Sequence, residues 1–182
     1  GGTVGSFGVP DSQTYGQVFT APVTGTLTSF TLWLGGGVGA LQGAVGTWNG
    51  TAAHGFGFGS PITLFTSAEV SSVSGGPYTF SPGAAVTAGS LYVAFLSVSG
   101  VAGANNSTSM PLGDNSDPNI NYFVWNNTSS PYGNASWNYF FNVGEARFSA
   151  TFVESVPVPE PASMALLGAA LLSLGLARRR RG

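Results

Sequence analysis

Ala146-Arg147-Phe148-Ser149-Ala150-Thr151-Phe152 alternates apolar and polar side chains along its whole length. The apolar residues all fall on one face of an extended chain, and the arginine and the two hydroxyl residues fall on the other. This period of two is typical of a β-strand with one face against a core and the other in water. The run therefore predicts a half-buried strand of an antiparallel sheet.

Two other runs, residues 27–34 and 91–98, are apolar on both faces and predict central strands. In the first, strict alternation places Leu27 on the face opposite to Phe30, Leu32 and Leu34. Weaker strand candidates are residues 15–20, 41–48, 62–66, 78–80, 121–125 and 137–141. The chain thus has about nine predicted strands with Gly, Asn and Pro between them, which indicates an all-β fold, an antiparallel β-sandwich or jelly roll. We expect these strands to form one domain over residues 1–155.

Charged residues are scarce, and their distribution excludes several classes of function. They make up 7% of the chain, against about 25% in an ordinary soluble domain. Residues 1–155 hold one arginine, Arg147, against six carboxylates, a net charge of −5. Such a surface does not bind nucleic acid. The chain has no cysteine, so disulfides, thiol nucleophiles and cysteine-based zinc sites are excluded.

The composition changes at residue 156. Residues 156–161 read VPVPEP and predict an extended, exposed linker. Residues 162–177 are uncharged and apolar on every helical face, so they predict a hydrophobic helix that spans a membrane. Such a helix would be about 24 Å long, which is shorter than the hydrocarbon core of about 30 Å. The basic tail, residues 178–182, contains four consecutive arginines, Arg178, Arg179, Arg180 and Arg181. A buried core helix does not account for four arginines, whereas a stop-transfer segment does.

The order of Pro159-Glu160-Pro161, apolar span and arginine cluster resembles the PEP-CTERM sorting signal of Gram-negative bacteria. The resemblance implies that an exosortase, a membrane cysteine protease, recognises the Pro-Glu-Pro motif and that the four arginines are the cytoplasmic stop. It also implies export through the inner membrane to the cell surface or extracellular matrix. Residues 1–5 show no signal peptide, so we expect that one preceded Gly1 or that the chain is a fragment.

A second, looser resemblance concerns the body of the chain. Residues 15–20, 27–32, 89–96 and 137–152 are similar to a β-sandwich domain that PEP-CTERM proteins often carry. The shared positions are mostly core positions. The resemblance therefore implies a fold and transfers no activity.

Asp114 and Asp117, in the run Asp114-Asn115-Ser116-Asp117-Pro118-Asn119, are the one cluster of hard oxygen ligands. Together with amide carbonyls they could hold a structural Ca²⁺. The same pattern is also ordinary turn chemistry, which is the interpretation we favour. No cofactor is otherwise predicted.

Trp125 is the tryptophan that the sequence places at a strand end next to polar loops, where its ring could stack on a sugar. Most of the tryptophans are expected in the core. An extracellular polysaccharide is therefore a candidate partner, and a carbohydrate-binding module is the alternative function.

His54, the only histidine, lies in a glycine-rich stretch and is expected to be a loop residue. No Gly-x-Ser-x-Gly elbow accompanies it. The sequence therefore predicts a non-enzymatic surface or matrix protein with a structural or adhesive role, rather than a hydrolase.

Overall fold

The computed structural model describes residues 2–49, 61–114, 117–127, 137–139 and 144–156. Within these residues the secondary structure consists of β-strands without a helix, which confirms the all-β prediction. The strands are β1 (Thr3–Gly8), β2 (Thr14–Thr20), β3 (Gly25–Leu34), β4 (Gly39–Thr47), β5 (Ile62–Thr66), β6 (Val70–Val73), β7 (Gly76–Phe80), β8 (Ala84–Val86), β9 (Leu91–Ser97), β10 (Ser107–Pro111), β11 (Ile120–Asn126), β12 (Asn138–Tyr139) and β13 (Phe148–Glu154).

These strands form three sheets, and every pairing between them is antiparallel. The seven-stranded sheet has the order β12-β11-β2-β9-β4-β5, with β6 also paired to β4. The four-stranded sheet has the order β13-β3-β7, with β8 also paired to β3. The third sheet is β1 with β10.

The two larger sheets contribute to one apolar core. The seven-stranded sheet supplies Tyr15, Phe19, Leu41, Val45, Tyr92, Leu96 and Phe123, and the four-stranded sheet supplies Leu27, Phe30, Leu32, Leu34 and Phe80. Burial of each such side chain stabilises the fold by about 1.5 to 3 kcal/mol. The other face of the seven-stranded sheet is apolar as well, and Val18, Ala44, Val93, Phe95 and Val124 form a second cluster there with Trp48 and Trp137.

The strands expected from the strongest patterns are present. In the strand Phe148–Glu154 the side chains of Phe148, Ala150 and Phe152 are half-buried, while Ser149 and Thr151 are exposed. Both runs predicted to be central have a neighbour on each side: β9 lies between β2 and β4, and β3 lies between β13 and the pair β7 and β8. Strand β9 is buried on both faces, whereas the outer face of β3 is only half-buried.

One detail of the β3 prediction was wrong. Leu27 and Phe30 both lie in the main core, although strict alternation puts them on opposite faces. The pairing with β13 explains this, because Thr151 is opposite Ser29 while Phe152 is opposite Leu27, which leaves Thr28 as an extra residue. A β-bulge of this kind shifts the alternation by one residue.

Strands β1, β6, β8 and β10 were not predicted, and the estimate of about nine strands was too low. They are short or carry few apolar residues; β6 reads VSSV and β10 reads STSMP. Their pairing with β4, β3 and each other is a long-range property. The expected hydrophobic helix at 162–177, its flanking linker and its basic tail lie outside the described residues.

Gly43 on β4 gives the first testable prediction, because it faces the other sheet. A Cβ built there would lie 2.5 Å from ring atoms of Phe80, which itself stacks on Phe30 with 5.3 Å between ring centroids. We expect Gly43→Ala to lower the free energy of unfolding by about 1 to 3 kcal/mol, the usual cost of overpacking. Thermal unfolding followed by far-UV circular dichroism measures this.

The matched control adds Phe80→Leu to Gly43→Ala. If the clash with the ring is the cause, the double variant loses less stability than the sum of the two single variants. Simple additivity of the two losses would contradict this explanation.

Candidate functional site

A buried glutamine positions the segment that precedes β13. Gln17, on the inner face of β2, is fully buried, and its Oε1 accepts a hydrogen bond of 2.8 Å from the Ala146 backbone N–H. The same segment is tied to the end of β10, since Gly113 N donates to Glu145 O and Arg147 N donates to Pro111 O, each at 2.8 Å. Glu145 and Arg147 are therefore fixed beside the loop that follows β10.

An open cleft of about 630 Å³ lies between this segment, the end of β2 and the edge of β13. Its lining includes aromatic side chains, acidic side chains and one arginine, Arg147. The aromatic part is Phe19, Phe148 and Phe152, and the acidic part is Asp114, Asp117 and Glu145. The cleft therefore offers an apolar surface next to a concentration of negative charge.

Glu145 is the most buried of the three carboxylates, with 9% of its surface exposed. Burial raises the pKa of its carboxyl group, and the negative charges of Asp117 and Asp114 raise it further. The guanidinium of Arg147 lies over the ring of Trp33, with Cζ 4.7 Å from the ring centroid. This is a cation–π contact.

The predicted ligand pair Asp114 and Asp117 lies in the loop between β10 and β11, and both side chains are exposed. Asp117 Oδ1 accepts hydrogen bonds from Asn119 N at 2.9 Å and from Asn119 Nδ2 at 3.1 Å. This geometry is that of an Asx turn. No group of three or more histidine, cysteine or carboxylate side chains that could hold a metal occurs within the described residues. Calcium binding by the pair, the alternative to the turn, is not tested by this geometry.

Trp125 is the penultimate residue of β11, and it pairs with Tyr15 on β2. Its side chain is half-buried and packs against the main core, which leaves part of the ring accessible. Trp48 and Trp137 are buried in the second cluster, with their rings edge to face at 6.0 Å. Stacking of a sugar on Trp125 is not tested by this placement.

Sequence reasoning missed Phe19, Gln17 and Glu145 as residues of one site. The glutamine had one signal, a polar side chain on the otherwise apolar inner positions of β2. Nothing in the local sequence indicates that Glu145 approaches Asp114 and Asp117, because that contact depends on the bridge between Leu112 and Ala146.

The remaining predicted site residues lie outside the described residues. They are His54, the sorting residues Pro159, Glu160 and Pro161, and the arginines Arg178, Arg179, Arg180 and Arg181. Within the part of the chain that the structure describes, no helix is long and apolar enough to cross a membrane.

Comparison with protein families identifies the C-terminal segment. Residues 157–181 match the PEP-CTERM protein-sorting motif, which confirms the resemblance seen in the sequence. No curated protein matches the chain. No solved structure matches it either.

Glu145 predicts a pH dependence of stability. Because its pKa is higher in the folded state than in the unfolded state, its contribution is fully present below the unfolded value and is lost as the pH rises through the folded value. The stability of Glu145→Gln relative to the wild type should therefore rise as the pH increases above the ordinary glutamate pKa of about 4.3. Urea unfolding at a series of pH values measures it, with Glu154→Gln, at an exposed position of β13, as the control. A constant difference across this range would contradict the prediction.

The Asx turn predicts that calcium leaves stability unchanged. We expect the same melting midpoint in millimolar CaCl₂ and in EDTA, because Asp117 is already satisfied by Asn119. A bound ion at a hundred times its Kd would stabilise the fold by about 2.7 kcal/mol, which a melt detects. A calcium-dependent rise that disappears in Asp117→Asn, which keeps the turn acceptor and removes the charge, would overturn this prediction.

Proposed function

We propose that this chain is a non-enzymatic protein of the cell surface or extracellular matrix, with a two-sheet β-sandwich body and a separate C-terminal sorting signal. The PEP-CTERM motif at residues 157–181 implies recognition by an exosortase, export and sorting to the cell surface. That match is the single observation that carries the proposal. The structural or adhesive role of the body is the part that the motif leaves open.

The position of the last hydrogen bonds of the β body supports the proposal that the tail is processed. Glu154 pairs with Gly25, and Ser155 then donates to Thr24 O through its backbone N at 3.0 Å and its Oγ at 3.1 Å. The next residue, Val156, is 82% exposed. At about 3.5 Å per extended residue, the Pro-Glu-Pro motif begins within about 14 Å of Ser155, the last anchored residue. Cleavage at or after the motif therefore leaves the hydrogen bonds between the described strands in place.

The expected membrane stage follows from the order of the tail. We propose that residues 162–177 span the inner membrane before processing and that Arg178, Arg179, Arg180 and Arg181 stay on the cytoplasmic side, as the positive-inside pattern requires. The acidic body, with its net charge of −5 over residues 1–155, is then on the exported side.

A non-enzymatic role agrees with the small number of histidine, cysteine and carboxylate side chains in the body. The chain holds one histidine and no cysteine, so His54 would have to serve any serine hydrolase site. The carboxylates near the cleft include Asp117, which is engaged in a turn. Hydroxyl and amide side chains dominate the exposed loops instead, which suits a surface protein.

The alternative is a carbohydrate-binding module of the matrix. It is favoured by the half-buried ring of Trp125 at the end of β11, beside the exposed Asn127. A flat aromatic ring next to amide groups can bind the apolar face of a sugar. A glycan array distinguishes this role from a purely structural one, and loss of binding in Trp125→Ala would locate the site.

Processing gives the direct test of the proposal. We expect protein extracted from the cell surface to lack Arg178, Arg179, Arg180 and Arg181, because the tail is a transient stop-transfer segment. Intact-mass spectrometry measures the C-terminal end, and Glu160→Ala, which alters the motif alone, is expected to keep the full-length mass. A wild-type mass ending at Gly182 in a host with an active exosortase would contradict the proposal.

A further inference from the structure

The free edge of β13 is the surface that carries a further inference. Within the described part of the chain, β13 pairs with β3 alone, so one of its edges has no neighbouring strand. Edge strands expose backbone N–H and C=O groups that can pair with another extended chain. Lysine or proline often blocks such an edge, and β13, which reads FSATFVE, contains neither.

Two hydrogen bonds show which backbone groups of β13 face β3. Thr28 Oγ1, on β3, donates to Thr151 O at 3.0 Å, and Ser155 N donates to Thr24 O at 3.0 Å, just before β3 begins. Because backbone groups alternate in direction along a strand, every second residue of β13 points its N–H and C=O away from β3. These residues are Phe148, Ala150, Phe152 and Glu154. Among the described residues, the outward groups of the first three have no hydrogen-bond partner.

The cleft lies directly beside this edge. Phe148, Ala150 and Phe152 line it from β13, and Phe19 lines it from β2. The two phenylalanines of β13 are half-buried, although they point toward the core, so apolar ring surface stays uncovered in a space of about 630 Å³. An additional strand along β13 would place every second side chain in this space.

The acidic part of the cleft adds a charge requirement. Asp114, Asp117 and Glu145 line it together with Arg147, which is the only arginine or lysine among the described residues, so the lining carries three carboxylates against one guanidinium. A strand that carries a basic residue at the matching end would be complementary to these carboxylates. A second copy of the body is a poor match, because residues 1–155 have one arginine and a net charge of −5.

We propose that β13 binds an extended segment of a partner protein as an added strand, with alternate apolar side chains in the cleft and a lysine or arginine facing Asp114, Asp117 and Glu145. The backbone edge supplies the main-chain hydrogen bonds, the aromatic surface selects apolar side chains, and the carboxylates fix the direction of the segment. This binding site is independent of the sorting tail and of the fate of residues 157–182.

The test uses the full chain in detergent micelles and a fluorescein-labelled synthetic peptide, Arg-Val-Thr-Val-Thr-Val, read by fluorescence anisotropy. Two N-methylated versions carry methyl groups on alternate amides, one set for each edge of the peptide strand. We expect the unmodified peptide to bind and one of the two versions to bind at least about tenfold more weakly, because it loses the hydrogen bonds to β13 while the other keeps them. Exchange of the peptide arginine for glutamate should weaken binding about tenfold as well.

The matched protein variants are Ala150→Pro and Ala150→Val. Proline removes the N–H of residue 150 at the free edge, and its ring occupies the position of that N–H. It removes no hydrogen bond to β3. Valine keeps the N–H. Far-UV circular dichroism checks that both are folded, and only the proline variant should lose binding. Equal binding of both N-methylated peptides, undiminished binding by a folded Ala150→Pro, or a wild-type dimer that Ala150→Pro converts to a monomer would each overturn the proposal.

Discussion

The packing of Phe19 joins the two larger sheets at the end of the molecule where the cleft opens. Its ring, on β2 of the seven-stranded sheet, stacks on Phe148 of the four-stranded sheet at 5.3 Å and lies 6.0 Å from Phe152. On its own sheet it lies 5.9 Å from Tyr92. Removal of such a ring usually costs about 3 to 5 kcal/mol. Two residues earlier, Gln17 holds the Ala146 backbone, so β2 fixes both the strand β13 and the segment that leads into it.

The fold could be predicted as far as local pattern determines it. The alternation at residues 146–152 and the two-sided apolar run at 91–98 correspond to an edge strand and to a fully buried strand. The bulge at Thr28 could not be predicted, because only its pairing with β13 creates it. Strands β1 and β10 also have no local signal, since each depends on the other for its hydrogen bonds.

The candidate sites also differ in whether local sequence or tertiary structure creates them. A short linear motif such as Pro159-Glu160-Pro161 needs no tertiary structure to be read, and the family match at residues 157–181 agrees with it. The cleft is the opposite case, because Asp114 and Glu145 come together only through the bridge between Leu112 and Ala146. The turn at Asp117 could be foreseen as one of two alternatives, since Asp-Pro-Asn has turn chemistry by itself.

We infer that the β body and the sorting tail are separate modules. The last hydrogen bonds of the body are made by Ser155, before the motif begins. The direct test is the unfolding of residues 1–155 expressed without the tail. We expect a soluble fragment with a β-type far-UV circular dichroism spectrum and one cooperative melt. An unfolded or aggregated fragment would contradict it and would mean that residues 162–177 pack against the body.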